Sequence, residues 1–289
     1  MEQARTGTER SWLIVGHGSV GAFLSDRLGR SGADVSVLDP SPRLPIASGE
    51  AVTAPASGAF AYAVSCVPPE AAGEMAPVAA AALMEGGILF DWNTVAPAAK
   101  RRVAAAVSVT TVDVALLDTL DGGRARPTLA VSGPAAERGA AVLRGLEFAV
   151  SIAGDKVGDA AALKYLRSIF MKTLEAMTIE FASLASEFDH AGIVRDSIEQ
   201  NLGREFVEFM DLLIATNRLH AERRCGELAD AVSTFGGQGM RPELAGAAVA
   251  VLRSAADAWT STTAPPPNAE LAVLAEHLRR AIWTEPAST

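Results

Sequence analysis

Residues 11–21, which read Ser-Trp-Leu-Ile-Val-Gly-His-Gly-Ser-Val-Gly, decide the fold of this chain. Four apolar residues, typical of a buried β-strand, lead directly into Gly16, Gly18 and Gly21 with the spacing G-x-G-x-x-G. Apolar residues then recur at intervals of three and four, as they do on one face of a helix. The stretch therefore predicts a strand, a tight turn and a helix, the unit from which α/β folds are built.

The glycine turn has the features of a phosphate-binding loop. Gly16 would permit the tight turn, Gly18 would let a pyrophosphate approach the backbone, and Gly21 would let the helix pack closely on the strand. The start of the helix also presents free N–H groups to an anion. We predict a dinucleotide cofactor here, held by Gly16, His17, Gly18, Ser19, Val20 and Gly21. The alternative is an ordinary turn of an α/β protein that binds nothing.

Asp39 ends a second apolar run, at 35–38, about 20 residues past the turn. In dinucleotide-binding units a carboxylate at this distance accepts a hydrogen bond from the 2′-hydroxyl of the ribose. We therefore predict that Asp39 contacts the cofactor.

Composition limits the classes of protein to consider. The chain has 289 residues, 49% of them hydrophobic, which is enough for one or two complete cores. Its formal charge of −9 argues against nucleic-acid binding, which requires neutralisation of phosphates. The two cysteines are far apart in sequence, which favours a reducing, cytoplasmic setting, and with only four histidines the chain shows no metal-binding pattern. We expect no secretion signal and no membrane span, since apolar runs stay short.

The pattern along the chain changes near residue 158. Strand-like and helix-like segments alternate before it, which predicts a doubly wound, mostly parallel sheet of Rossmann type at 1–157. After it we find only helical periodicity, which predicts an all-helical domain at 158–289. Its first helix would span roughly 30 residues, about 45 Å, and join the two domains. Its apolar stripe comprises Leu163, Leu166, Phe170, Leu174, Met177, Phe181, Leu184 and Phe188.

Further helices are expected in the second domain at about 197–218, 221–235, 242–259 and 270–282.

Two polar turns are expected at the carboxyl edge of the sheet, where cofactors bind. Cys66, Val67 and Pro68 follow one strand and could form a wall of the cofactor site, or simply a rigid strand-end turn. Asn93 and Thr94 follow another strand and carry short hydrogen-bonding side chains. They are predicted to contact nicotinamide or substrate, or alternatively to cap the next helix.

Lys164 lies in the first turns of the long helix, and Ser168 follows it on the same face. If this face looks into an interdomain cleft, the lysine could exchange a proton with an alcohol or carbonyl during hydride transfer. The alternative is a solvated helix lysine, which is what we expect of Lys100 and Lys172. Only four of the 25 basic residues are lysines, which slightly favours a specific use of the amine.

A cluster of basic residues lies in the helical half, where His220, Arg223 and Arg224 are close in sequence to Glu227. Arginines bind carboxylates and phosphates with two parallel hydrogen bonds, so the cluster could hold a substrate anion. Ordinary charges on a helix surface are the alternative.

Taken together, these motifs resemble the β-hydroxyacid dehydrogenase superfamily, which includes 6-phosphogluconate and 3-hydroxyisobutyrate dehydrogenases. The chain shares the order of the glycine turn, a proline turn after a strand, Asp91-Trp-Asn-Thr-Val-Ala-Pro97, and a long helix opening with a lysine. The segments His220-Ala-Glu-Arg-Arg224 and Gly239-Met-Arg-Pro242 resemble a poorly characterised branch with its own helical C-terminal domain.

The resemblance implies an NAD(P)-dependent oxidoreductase acting on a small hydroxy acid or a related alcohol or carbonyl compound. It implies that Lys164 is catalytic, that Asn93 and Thr94 face substrate or nicotinamide, and that Asp39 favours NAD. It also implies a homodimer formed through the helical substrate and dimerisation domain.

The chain departs from the family at three points, one of which is that the sugar-phosphate pocket of true 6-phosphogluconate dehydrogenases is not recognisable in it. Ser168 stands where the family usually has Asn, and Leu117-Asp118-Thr119 stands where a Ser-Gly-Gly segment binds the substrate carboxylate. Arg43 could bind a 2′-phosphate, which leaves NADP open. The substrate is thus expected to be neither 6-phosphogluconate nor a simple hydroxyisobutyrate. An imine reductase of the same architecture and a non-catalytic NAD(H)-binding dimer are the alternatives.

Overall fold

The computed structural model describes residues 11–42, 44–118, 126–261, 264–266 and 269–283, with side chains up to 280. Contacts divide the chain into two compact units, Met1–Lys164 and Tyr165–Thr289. The first unit is built on a β-sheet and the second is helical, which confirms the predicted fold class. The division falls inside the long helix, whereas the sequence placed it just before that helix.

Eight strands form one sheet in the order β3-β2-β1-β4-β5-β6-β7-β8. All neighbouring strands are parallel except β6 and β7. The strands are β1 (Ser11–Val15), β2 (Asp34–Leu38), β3 (Glu50–Ala51), β4 (Phe60–Ser65), β5 (Leu83–Asp91), β6 (Thr110–Leu116), β7 (Thr128–Ser132) and β8 (Ala149–Gly154).

Helices of the first unit cover both faces of this sheet. They are α1 (Ser19–Arg30), α2 (Ala72–Ala82), α3 (Pro97–Ala105) and α4 (Ala136–Gly145). Because successive side chains of a strand point to opposite faces, Trp12 and Ile14 of β1 join one apolar core while Leu13 and Val15 join another. A strand buried on both sides in this way reads as a continuous apolar run.

The helical part comprises α5 (Asp159–Ala185), α6 (Gly192–Leu202), α7 (Arg204–Gly236), α8 (Glu243–Trp259) and α9 (Leu271–Trp283). The predicted break between helices at 197–218 and 221–235 is wrong, because the structure places the break at another position. The chain breaks at Gly203, whose φ of +87° lies in the left-handed region that favours glycine. No helix-breaking residue occurs between 218 and 221, so α7 continues through this stretch.

Helix α5 has the predicted long form, but its apolar stripe is not the face buried within the chain. Leu166, Phe170, Met177 and Leu184 are all at least half exposed, and Phe170 reaches 68%. The opposite face is buried and carries polar side chains, namely Ser168, Lys172, Glu175, Thr178 and Ser183. Among the described residues, no helix combines the length and apolar character needed to cross a membrane.

Candidate active site

The glycine turn after β1 has the geometry that its sequence predicts. Gly16 has a φ of +94°, and a Cβ there would lie 2.7 Å from the carbonyl oxygen of Cys66. A Cβ on Gly21 would lie 2.1 Å from the carbonyl oxygen of Gly16, so helix α1 can pack this closely only with glycine. A Cβ on Gly18 would meet no atom within 4 Å. Open space therefore lies beside Gly18, where a pyrophosphate would approach the backbone.

Helix α1 begins at Ser19, directly after Gly18, and no side chain caps its N-terminus. The first N–H groups of a helix have no partners within it, and together with the helix dipole they favour an anion. Ser19 and Val20 belong to this first turn. The loop therefore fits the phosphates of a dinucleotide.

His17 contributes to the loop through its backbone and its packing. Its N–H donates to Asp39 Oδ2 at 2.6 Å, and its fully buried ring has Nε2 3.2 Å from Ser25 Oγ. The ring is therefore directed into the first unit, so any contact of His17 with a cofactor would have to come from its backbone.

Asp39 stands at the end of β2, as predicted. Its Oδ2 accepts the N–H of His17, and its Oδ1 accepts the N–H of Ser41 at 2.8 Å. Each carboxylate oxygen has a second lone pair, so the side chain can still accept a ribose hydroxyl. Arg43, the predicted alternative ligand of a 2′-phosphate, lies outside the described residues.

The turn after β4 packs directly on the glycine loop. Cys66 Sγ donates to the carbonyl oxygen of Gly16 at 3.1 Å. Burial and the nearby charge of Asp39 raise the pKa of this thiol to about 12, so it stays protonated near neutral pH. Val67 N–H donates to Asn93 Oδ1 at 2.8 Å, and Pro68 leads into a short 3-10 turn at Pro69–Ala71. The turn thereby joins the glycine loop to the end of β5.

Asn93 connects two strand ends. Besides accepting from Val67, its side chain donates through Nδ2 to Ser65 Oγ at 3.0 Å, and it is buried. Helix α3 begins without a side-chain cap, so neither Asn93 nor Thr94 caps it, which was the alternative role predicted for them. Both amide atoms of Asn93 therefore already have partners inside the first unit.

Lys164 lies against Thr94. The amine Nζ of Lys164 donates to Thr94 Oγ1 at 2.9 Å, and both side chains are partly buried. The lysine is thus not simply solvated. Ser168, the next predicted site residue on α5, is buried and accepts from Lys172 Nζ at 3.3 Å. Its role in catalysis stays a prediction.

Sequence reasoning missed a row of buried polar side chains that crosses the sheet near the same edge. Ser65, Asp91, Asp113 and Ser132 lie side by side in register on β4, β5, β6 and β7. All four side chains are almost completely buried. A polar residue that ends an apolar strand, as Ser65, Asp91 and Ser132 do, was the signal available in the sequence.

The expectations for Lys100 and Lys172 as solvated lysines are wrong. Lys100 is 1% exposed, and its amine lies 2.9 Å from Asp91 Oδ1 and 3.2 Å from Asp113 Oδ1. Lys172 is also buried, and its amine lies 2.7 Å from Glu227 Oε2. Each amine can leave water because it is paired with a carboxylate.

The predicted basic cluster does not converge on one point. Arg223 Nη1 donates to Glu227 Oε1 at 2.6 Å near the surface. Arg224 turns inward, where its Nη1 donates to the buried Glu175 Oε1 at 2.5 Å. The two guanidinium groups have separate carboxylate partners, so the structure gives no support to an anion site built from both.

The segment that replaces Ser-Gly-Gly is described only in part. Asp118 Oδ2 accepts the N–H of Thr128 at 2.7 Å and so ties the end of β6 to the start of β7, whereas Thr119 lies outside the described residues. Within the described ranges, no group of three or more His, Cys, Asp or Glu side chains is placed to hold a metal ion.

A family model and a curated relative each match part of the chain. A family model described as a domain of unknown function (DUF1932) matches residues 185–255, within the helical unit. An uncharacterised 28.5 kDa protein of Methanothermus fervidus is 26% identical over 145 residues. That match spans half of this chain and 56% of the relative.

Solved structures resemble nearly the whole chain. 3-Hydroxyisobutyrate dehydrogenase of Mycobacterium tuberculosis, determined with L-serine, aligns with a TM-score of 0.71 at 16% identity, covering 93% of this chain and 99% of its own. A reductive aminase of Aspergillus terreus, in complex with NADPH and ethyl levulinate, aligns with a TM-score of 0.56 at 18% identity, covering 94% and 100%. The fold is thus that of the hydroxyacid dehydrogenases, which confirms the predicted resemblance at the level of structure.

Proposed function

We propose that this protein is an NAD(P)-dependent oxidoreductase that interconverts a small hydroxy acid, or a related alcohol, with its carbonyl form. One observation carries the proposal. The Lys164 amine is held 2.9 Å from Oγ1 of Thr94, a residue in the turn that follows the end of β5 at Asp91. The same unit contains the glycine loop that fits a dinucleotide. Similar solved structures include a dehydrogenase and an NADPH complex, which supports this class of reaction.

The cofactor would be held by residues of the first unit. The N–H groups at the start of α1 and the open space beside Gly18 would accept the pyrophosphate. Asp39 would accept a ribose hydroxyl, which favours NAD over NADP. The turn at Cys66, Val67 and Pro68 would form one wall of the site. When bound, the nicotinamide supplies the acceptor or donor of a hydride.

Lys164 would move the proton that accompanies hydride transfer. In oxidation its neutral amine takes the proton from the substrate hydroxyl, and in reduction its ammonium returns a proton to the new alkoxide oxygen. Thr94 Oγ1 would hold the amine in place by accepting one of its hydrogens. Asn93, tied to Val67 and Ser65, would keep the Thr94 backbone fixed.

The test begins with binding, because the substrate is unidentified. Thermal shift with NAD+, NADH, NADP+ and NADPH identifies the cofactor, and a panel of small hydroxy acids with that cofactor identifies candidate substrates. Lys164→Ala should then lower turnover by about 10²- to 10⁴-fold while cofactor affinity stays nearly unchanged. Lys156, an exposed lysine just before α5, provides the control, and Lys156→Ala should behave like the wild type.

Unchanged turnover in Lys164→Ala would overturn the assignment of this lysine. Tight cofactor binding without turnover of any alcohol or carbonyl compound would instead support the non-catalytic NAD(H)-binding alternative.

Imine reduction is the second candidate, favoured by the structural similarity to a reductive aminase. A lysine ammonium could equally protonate the nitrogen formed when an imine accepts a hydride. Cyclic imines assayed beside hydroxy acids separate the two candidates, since the proposed dehydrogenase should turn over only the acids.

We also propose that two copies of the chain form a homodimer through the helical unit. The α5 stripe, defined by Leu166, Phe170, Met177 and Leu184, exposes large apolar side chains along one line of a continuous helix. A contiguous exposed apolar surface of this kind is typical of a site where another protein binds. A second α5 stripe is its natural complement, because a two-fold interface pairs the same surface with itself.

Sedimentation equilibrium tests this proposal. Phe170→Glu should convert the dimer to a monomer, because a carboxylate would be buried in the apolar contact. Leu244→Glu, at an exposed leucine of α8 (75% exposed), should leave the dimer intact. A monomeric wild type, or equal effects of both variants, would refute the interface.

A further inference from the structure

We propose that Lys100 is a positioning residue that sets the distance between Lys164 and Thr94. This inference rests on the proposed function, in which those two side chains act together. Lys100 lies on α3. It acts through two buried carboxylates, Asp91 and Asp113.

Asp91 and Asp113 form a pair that needs a cation. They are in-register partners on the parallel strands β5 and β6, so their side chains leave the same face of the sheet side by side. Both are fully buried. Two like charges that are neighbours on a sheet repel each other, and burial removes the water that would screen them.

The Lys100 amine supplies that cation. Nζ lies 2.9 Å from Asp91 Oδ1 and 3.2 Å from Asp113 Oδ1, and it also donates to the Asp91 carbonyl oxygen at 2.6 Å. One amine therefore bridges two strands. Because the two carboxylates of Asp91 and Asp113 share the single amine of Lys100, other groups must balance one negative charge.

The start of α5 provides part of that balance. Asp113 Oδ2 accepts the N–H groups of Gly158 at 3.0 Å and Ala161 at 3.1 Å, and it also accepts Ser132 Oγ at 3.1 Å. Ser132 Oγ in turn accepts the N–H of Ala160 at 3.0 Å. A helix N-terminus leaves such donors without partners and carries partial positive charge. The helix that bears Lys164 is thereby anchored, one turn before the lysine, on Asp113 and Ser132.

Thr94 is anchored at the other end of the same cluster. Asp91 Oδ1 accepts the N–H of Asn93 at 3.0 Å, and Asn93 immediately precedes Thr94. Lys100 thus holds together the carboxylate that fixes the Thr94 turn and the carboxylate that fixes the start of α5. Removing its charge would separate the two anchors, because repulsion between Asp91 and Asp113 would no longer be offset.

The experiment measures the position of Lys164 without requiring turnover. Lys100→Met keeps an unbranched apolar side chain of nearly the same length and removes the charge. The lysines of the whole protein are trace-labelled with acetic anhydride and quantified by mass spectrometry, and amide hydrogen exchange is followed over 91–96 and 156–164. Loss of one charge-assisted hydrogen bond should raise the labelling rate of Lys164 and the exchange rates of both segments by about tenfold or more. Arg102→Met, at an exposed arginine of the same helix α3, is the matched control, and it should change neither the labelling of Lys164 nor the exchange of the two segments.

A double variant tests the electrostatic cause. Lys100→Met with Asp91→Asn removes the repulsion as well as the cation, so Lys164 labelling should return toward the wild-type rate. If Lys100→Met does not fold, the double variant still tests the proposal, because it should restore folding and protect the amides of both segments from exchange.

The proposal is overturned if Lys100→Met folds with Lys164 labelling and local exchange unchanged. It is equally overturned if the double variant does not fold, or if its exchange rises uniformly across the chain, because Lys100 would then be a general packing residue. None of these results depends on a substrate. A wild-type protein without turnover would therefore count against the proposed function only. The labelling and exchange experiments would still decide the role of Lys100.

Discussion

Lys164 and Thr94 are 70 positions apart in the chain, yet the lysine amine donates a 2.9 Å hydrogen bond to the threonine hydroxyl. Thr94→Val keeps the shape of the side chain and removes this acceptor. Since hydrogen bonds to charged groups contribute about 1.5–3 kcal/mol, turnover should fall roughly 10- to 100-fold. Steady-state kinetics on the substrate identified by screening provides the measurement. Thr94→Ser keeps the hydroxyl and should retain most of the activity, so equal losses in both variants would contradict this role.

Gly18 and Gly21 should respond differently to the same added methyl group. In Gly21→Ala the new carbon would lie 2.1 Å from a backbone oxygen, so unfolding free energy should fall by about 1–3 kcal/mol. In Gly18→Ala the carbon enters open space, and stability should be nearly unchanged. Cofactor affinity should nevertheless drop about tenfold or more, because the methyl group occupies the path of the pyrophosphate. Thermal unfolding and cofactor titration of both variants test this; a Gly18→Ala protein that binds normally would place the pyrophosphate elsewhere.

Arg224 and Arg223 are neighbours in sequence with different energetic roles. Arg224 pairs with Glu175, which also accepts from Asn217 Nδ2 at 2.8 Å, and Asn217 Oδ1 accepts Trp259 Nε1 at 2.6 Å. Arg224→Met would leave the buried Glu175 without its cation and should lower unfolding free energy by about 3–5 kcal/mol. Arg223→Met, at the exposed pair, should cost about 0–1 kcal/mol. Urea unfolding followed by circular dichroism and tryptophan fluorescence measures both, and similar losses would refute the buried network.

The helical unit should lose stability in acid through Glu227. Burial alone would raise the pKa of this carboxyl group, but Lys172 and Arg223 outweigh it and hold the pKa below its ordinary value of 4.5. Because the folded pKa is the lower one, the stabilisation is present above about pH 4.5 and is lost as pH falls through the folded pKa. Lys172→Met should therefore destabilise the protein most at pH 7 and progressively less below pH 4.5.

Urea midpoints of Lys172→Met, the wild type and the exposed-site variant Lys156→Met, compared across this range, check the prediction. A loss in Lys172→Met that is independent of pH would show that its packing matters rather than its charge.

The sequence was sufficient for features that depend on local geometry. The apolar run and glycine spacing at 11–21 predict the first strand, turn and helix, because only glycine has the backbone freedom at Gly16 and the small size at Gly21 that this turn requires. Strand and helix alternation likewise predicts the Rossmann-type sheet and the helical second unit. These patterns reflect the periods of the strand and the helix, which neighbouring residues set.

Only the tertiary structure decided which polar residues are buried and with what partner. Lys100 looks like a solvated lysine because its partner Asp113 is remote in sequence and becomes a neighbour of Asp91 only when β6 pairs with β5. In the same way, the periodicity of α5 predicts a helix, yet its apolar stripe is exposed and its polar face is buried against Glu227, Arg224 and Asn217 of the helical unit. Burying a charge is favourable only with its partner in place, and the order of strands and the packing of helices supply that partner.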